Sequence, residues 1–362
     1  EVVSNDVPRI DYTDSEDGVF LLEKASTNLI TYSEGFDNAY WEKNGSSVVS
    51  GFTSPKGDLS AFKLVEGTSS AQFIRRTLIV SPGNNTISIF AKADERDWIL
   101  LWDGYTSKGR YFDIKNGNIG GFRSSAPENS SIDNIGNGWY RCSITVNSSS
   151  TYLQNQIYLA DGDGLFNYNG DGTSGVYIYG AMLEQNSVAS SYIPTQGAAV
   201  TRSDETASGS GNSEVFNDSE GVLFADISFL DITSFKGISI SNGTNGNSIR
   251  IYNSLTDNQL VFRVTVNSID QVLKLYTLSD TSLYNKISLK YKQNDFSVFI
   301  NGFKVAIVPD GITFPSGTLK KLNFNRSDGL DDFHGKTKEI AYYDTVLTDL
   351  ELETLTSYRS WE

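Results

Sequence analysis

Thr86-Ile-Ser-Ile-Phe-Ala-Lys92 sets Ile87, Ile89 and Ala91 on one side of an extended chain and Thr86, Ser88 and Phe90 on the other. Side chains alternate across a strand with a period of two, so this stretch reads as a strand with one face in a core. The reading extends outward in both directions. Ala61-Phe-Lys-Leu-Val65 and Phe73-Ile-Arg-Arg-Thr-Leu-Ile-Val80 precede it. Trp98-Ile-Leu-Leu-Trp102, Trp139-Tyr-Arg-Cys-Ser-Ile-Thr-Val146, Gln156-Ile-Tyr-Leu-Ala160 and Val176-Tyr-Ile-Tyr-Gly-Ala-Met-Leu183 follow. Turn pairs punctuate the strands at Pro82-Gly83, Asn116-Gly117, Asn137-Gly138 and Asp171-Gly172. Short strands resume from Gly221, where Ile300-Asn-Gly-Phe303 predicts a hairpin, because Asn-Gly accepts the positive φ values of a type I′ turn. Thr348 to Tyr358 predicts one helix, with Thr348 and Glu351 as a capping box and Leu352 and Leu355 facing the sandwich.

Composition agrees. Apolar residues make up 38% of the 362, below the roughly 45–50% of an average globular chain. Aromatics offset this, and 20 Phe, 19 Tyr and 5 Trp suffice for two thin cores between polar faces. The fold class is therefore all-β: two tandem β-sandwich (jelly-roll) domains with one short C-terminal helix. Residues 1–27 read as an N-terminal arm, extended around Pro8, with Val19-Phe-Leu-Leu22 as a short apolar strand. The first sandwich takes 28–201 and the second 221–362. Residues 202–220 between them read as a linker, since Arg202 to Glu214 offers almost nothing to bury. The opening Glu1-Val-Val-Ser-Asn5 has neither initiator Met nor signal pattern, which reads as a processing site or the edge of a longer chain.

A net charge of −15 repels phosphate backbones and argues against nucleic acid as a partner. The lone Cys142 allows no intrachain disulfide and follows the strand pattern of a small buried apolar residue. No apolar run approaches the ~20 residues that span a bilayer as a helix, so membrane insertion is not expected.

Five blocks then carry a family resemblance. They are Asn28-Leu-Ile-Thr-Tyr-Ser-Glu-Gly-Phe-Asp-Asn-Ala-Tyr-Trp41, Ser88 to Arg96, Gly136-Asn-Gly-Trp-Tyr-Arg-Cys142, Gly170 to Glu184, and Ser191-Tyr-Ile-Pro-Thr195 with Ala199 to Arg202. In order and spacing they resemble a domain common in phage tail and other virion proteins, which looks like a carbohydrate-binding-module jelly roll. Ile287 to Tyr291, Val298-Phe-Ile-Asn-Gly302 and Ile340 to Leu350 resemble, more loosely, the concanavalin A-like (laminin-G-like) domain that follows it there. The resemblance implies a phage virion component: a tail-fibre, receptor-binding or head-decoration protein. Its expected partners are cell-surface or extracellular polysaccharide and other virion proteins. Fibre proteins of this kind are often homotrimers, although no heptad or repeat here demands one. Two other readings stand beside it. One is a secreted carbohydrate-binding pair from a bacterial polysaccharide-degrading protein; the other is a structural spacer that binds no sugar.

Sugar binding needs a flat aromatic against a pyranose face and polar groups for the hydroxyls. Trp41, Trp98, Trp102, Tyr105 and Tyr111 are the candidate platforms, with Trp98 and Trp102 on one strand face; the competing reading makes that face core, as it does Trp139. Asp161-Gly-Asp-Gly164 with Asp171 suggests a calcium loop, and Asp161, Asp163 and Asp171 are its candidate ligands. Asp-Gly pairs also build ordinary turns, and the closing Glu of an EF-hand is absent. Asp328-Gly-Leu-Asp-Asp332 is a similar case. For catalysis, the E-x-D-x-x-E motif of sandwich-fold glucanases, a G-x-S-x-G elbow and zinc spacings are all missing. His334 is the only histidine and reads as a solvated loop side chain or a local hydrogen-bond partner. The expectation is a non-catalytic protein.

Overall fold

The computed structural model describes residues 9–13, 15–230 and 234–358. Pro8 and the opening five residues lie outside them. Strands dominate, and Asp349–Thr356 is the only helix among the described residues. The chain divides into two compact units: residues 25–203, and residues 204–358 together with 9–24. Two sandwiches are present as expected, with one addition: the second unit includes strands that precede the first in sequence.

The first unit stacks two six-stranded antiparallel sheets. The front sheet runs Asn118–Ser124, Lys108–Asp113, Trp98–Asp103, Tyr152–Ala160, Phe73–Ile79, Glu42–Asn44. The back sheet runs Asn129–Gly136, Trp139–Ser148, Gly83–Ala93, Gly175–Glu184, Ala61–Glu66, Ser46–Phe52. Ile87, Ile89 and Ala91 meet Ile99, Leu101, Phe112 and Ile157 between them, as the period-two pattern requires. Cys142 sits in this core, and burial pushes its thiol well up. Trp41 is core as well, 2% exposed beside Phe36 with its ring nitrogen donating to the Tyr32 carbonyl at 2.9 Å. It is therefore not a sugar platform. Trp139 is buried, but in a satellite cluster with Phe90 and Tyr179 rather than between the sheets. Strands Ser26–Asn28 and Val200–Arg202 pair with each other and hold the two ends of the unit together.

The second unit packs a seven-stranded sheet on a five-stranded one. Glu220–Phe229 is central, flanked by Asn285–Lys292 and Gly335–Tyr343. Gly335–Tyr343 in turn pairs with Val19–Leu22, in the register Phe20↔Thr337 and Leu22↔Gly335. Part of the expected arm is thus sheet: Ile10–Asp11 completes that edge, and Val19, Leu21 and Leu22 are buried. The expected linker also belongs here from Asp204 onward. Phe216 lies in the core, Ser210 bridges Leu322, and the Gly209 amide donates to Asn323 at 2.8 Å. Sparse apolar content did not free this segment, because backbone pairing and one aromatic anchor hold it. His334 is buried, its Nε2 3.3 Å from an Asp204 carboxylate oxygen.

The hairpin at Asn301-Gly302 forms as predicted, with the positive φ values a type I′ turn requires, 50° at Asn301 and 85° at Gly302. The terminal helix carries its capping box and lays Leu352 and Thr356, rather than Leu355, on the sheet. Thr356 replaces Leu355 because its hydroxyl accepts from the Gly302 amide at 3.1 Å, tying the helix to the hairpin turn. Thr348→Ala is expected to lower the stability of this unit by about 1 kcal/mol, read as a shift in its denaturation midpoint.

Candidate functional site

The outward side of the front sheet carries a satellite cluster of Phe73, Leu100, Trp102, Tyr111 and Tyr158, with Trp98 and Phe166 against it. Strand alternation puts these side chains opposite the core set Ile99, Leu101 and Ile157. Cross-strand register lines up a row across all six strands: Arg123, Gly109, Trp102, Gln156, Arg75, Glu42. Trp98 and Trp102 do share this face, but Trp102 is only 6% exposed. The Arg123 guanidinium covers it, 4.1 Å from the Trp102 ring and 3.8 Å from Phe166. Tyr111 is buried in the same cluster, and burial raises its phenol despite the opposing charge of Arg123. Trp102 and Tyr111 thus form the floor beneath Arg123 and are not exposed platforms.

Tyr105 is exposed, and it has a partner that the sequence alone did not single out. Its ring stacks on Tyr152 at 5.9 Å and 25°, with the two residues 52% and 46% exposed. Buried Asp103 sets this up. Its carboxylate accepts from the Tyr105 and Thr106 amides at 3.2 and 3.0 Å, and from the Gln154 amide at 2.8 Å. The turn bearing Tyr105 is thereby fixed to the strand bearing Tyr152. Beside the rings runs an amide ladder. Tyr158 donates to Gln156 at 2.9 Å, Gln156 to Gln154 at 2.7 Å, and Gln154 to Thr77 at 3.1 Å. Gly104 makes room for it, since a Cβ there would stand 2.3 Å from the Gln154 amide oxygen. A signal for this ladder was present in Tyr152-Leu-Gln-Asn-Gln-Ile-Tyr158, where Tyr152, Gln154, Gln156 and Tyr158 alternate against Leu153 and Ile157.

The face offers flat apolar rings, amide donors and acceptors, and guanidinium groups. At its rim, the Glu42 carboxylate is engaged by Arg75 at 2.9 Å. This is chemistry for holding a polyhydroxylated ligand.

The three aspartates expected to ligate calcium do not converge. Asp161 pairs with Arg96 at 2.9 Å, and Asp163 accepts the Gly121 amide at 2.8 and 2.9 Å. Asp171 accepts from the amides of Thr173 and Ser174, both at 2.7 Å, a local turn that takes up its carboxylate. In the other candidate loop, Asp328 and Asp331 pair with Arg326. Among the described residues no group of three or more His, Cys, Asp or Glu is placed to hold a metal ion. A cleft of about 650 Å³ in this unit lies elsewhere and is lined by Tyr32, Glu34, Asp37, Asn38 and Gln196, among others.

No protein-family model matches the chain, and no curated protein sequence does. Among solved structures, the CBM40 of the Ruminococcus gnavus IT-sialidase is 16% identical, over 42% of this chain and 94% of that one, with a TM-score of 0.35. A heptameric SAP-like pentraxin from Limulus polyphemus is 12% identical, over 41% and 74%, with a TM-score of 0.32. Domains LG4-5 of the mouse laminin α1 chain are 10% identical, over 76% and 86%, with a TM-score of 0.29.

Proposed function

We propose that this chain is a non-catalytic glycan-binding protein of a phage virion, a tail-fibre, receptor-binding or decoration component that contacts host-surface polysaccharide. The observation that carries the binding role is the front-sheet face, where the exposed Tyr105–Tyr152 pair borders the Thr77–Gln154–Gln156 ladder. Stacked rings cover the C–H face of a sugar, and preorganised amides meet its hydroxyls without a further ordering cost. The five sequence blocks that resemble virion domains support the particle assignment.

A glycan array probed with the full chain tests the reading. Tyr105→Ala and Gln154→Ala should each weaken the bound signal about tenfold or more, the loss of one aromatic contact or of one hydrogen-bonding amide facing a polar ligand. Asp37→Ala, in the acidic cleft, should leave it unchanged, and chelator should make no difference. A blank array, or a signal lost only with Asp37→Ala, would overturn the assignment to this face. Antibody raised against the chain should decorate purified phage particles, and undecorated particles would remove the virion part.

A further inference from the structure

The second unit holds a different site. Arg250 and Arg263 stand directly opposite each other on neighbouring strands Ser248–Asn253 and Gln259–Val266. They lie on the side away from Ile249, Ile251, Phe262 and Val264, which are core. Like charges directly opposite on a sheet repel, so this pair needs anions nearby. Arg263 has one, since Asp270 accepts from its Nε and Nη2 at 2.8 Å each. Arg326, a third guanidinium in the same cleft, reaches Asp331 at 3.2 Å and Asp328 at 3.3 Å. Arg250 has no carboxylate partner among the described residues. It is 3% exposed, and it donates only to neutral acceptors, Asn245 Oδ1 and Thr265 Oγ1, both at 3.0 Å. Its Nε is buried with no hydrogen-bond partner. Burial, and then repulsion from Arg263 and Arg326, hold its pKa below the ordinary value against the opposing pull of Tyr252 and Asp270.

A buried guanidinium with no carboxylate bonded directly to it is costly to keep in a fold. Here it opens onto a cleft of about 420 Å³ walled by Phe235 and Tyr252, whose rings meet edge-on at 6.1 Å. Two hairpin turns form the rim, tied by the Ser268 amide donating to the Gly246 carbonyl at 2.8 Å. Small-molecule sites run roughly 300–1,000 Å³, so this one has room for a saccharide unit.

We propose that the cleft binds the carboxylate of an acidic sugar, with Arg250 receiving the charge and Phe235 and Tyr252 flanking the ring. Of the three guanidinium groups lining the cleft, Arg250 alone has no carboxylate paired with it directly, which suits a ligand with a single negative charge. The −15 charge of the whole chain disfavours densely charged polyanions, and the neutral rim of Asn245 and Ser268 suits hydroxyls. This rests on the glycan-binding reading for its ligand class, but on another unit and other residues.

Calorimetric titration of the full chain with methyl glucuronide, methyl glucoside and sodium sulfate provides the test. The glucuronide should bind one per chain, and the glucoside, which lacks only the carboxylate, at least about tenfold more weakly. Arg250→Met should abolish glucuronide binding without lowering the melting temperature, because it removes a buried charge that no carboxylate pairs with directly. Should that variant fail to fold, Arg250→Lys keeps the charge but loses the fork, and should bind about tenfold more weakly. Equal binding of glucoside, binding of sulfate alone, no heat with glucuronide, or undiminished binding by the Arg250 variants would each overturn the proposal. Tyr105→Ala should leave this titration unchanged. A blank array beside a positive titration therefore sinks only the front-face reading, and the reverse result sinks only this one.

Discussion

Replacing Arg96 by methionine should destabilise the first unit by about 3–5 kcal/mol, the range found when one member of a buried ion pair is removed. Arg96 holds Glu66 in a two-pronged pair, Nε to Oε2 at 2.8 Å and Nη2 to Oε1 at 2.7 Å. The Glu66 side chain is 0% exposed. The Tyr168 hydroxyl and the Asp171 amide donate to the same carboxylate at 2.7 and 2.8 Å. Without Arg96 this charge stays buried with two neutral donors. Burial pushes the Glu66 carboxyl up, but Arg96, Tyr168 and Asp171 outweigh it and leave it below its ordinary 4.5. A carboxylate whose folded pKa is depressed contributes fully above the unfolded value and loses that contribution as pH falls through the folded one. The gap between the parent and Arg96→Met should therefore be widest near neutrality and narrow below about pH 4.5. Four of the five tryptophans lie in this unit, so denaturation followed by tryptophan fluorescence reports it. Adding Glu66→Leu to Arg96→Met should recover part of the loss. A single variant with an unchanged midpoint would show that the pair contributes nothing.

A chain that begins at Ala25 should keep its first unit and lose the second. The deletion removes Val19, Leu21 and Leu22, all buried, along with the strand that pairs with Gly335–Tyr343. Phe20, edge-on to Phe324 at 5.3 Å, goes with them. Burying an aliphatic side chain contributes roughly 1.5–3 kcal/mol, so three approach the roughly 5–15 kcal/mol total stability of a whole domain. Limited proteolysis of the truncated chain should leave residues 25–203 resistant and digest 204–362. Leu22→Asp in the full chain should give the same pattern, because it places an unpaired charge in the core. Equal resistance of both units in the truncated chain would show that Val19–Leu22 is dispensable.

Strands, turns and helix were legible in the sequence because each is written within a few residues. Ile87, Ile89 and Ala91 declare a face, Asn301-Gly302 a turn, and Thr348 with Glu351 a cap. Trp41 and Trp102 could not be placed that way. An aromatic that stacks on sugar and one that fills a core have the same chemistry, and only the tertiary neighbours Phe36 and Arg123 separate them. The aspartates were ambiguous for the same reason. A carboxylate beside glycine suits a cation or a turn, and Arg96, Gly121 and the Thr173–Ser174 amides took them. Arg250 was invisible because its meaning depends on Arg263 across a strand pair and on its bonding only to the neutral Asn245 and Thr265.

The pairing of Phe20 with Thr337 also sets a clock for synthesis. Residues 25–203 are contiguous and can fold while the rest of the chain is being made. Val19–Leu22 leaves the ribosome well before its partner strand, which follows about 300 residues later. At roughly 5–20 residues per second that is a wait of about 15–60 s. Throughout that interval an apolar strand with unpaired backbone is exposed, able to meet the same empty slot in a neighbouring nascent chain before its own is complete. Slow elongation and crowded polysomes therefore burden the second unit far more than the first, although both are sandwiches of similar length.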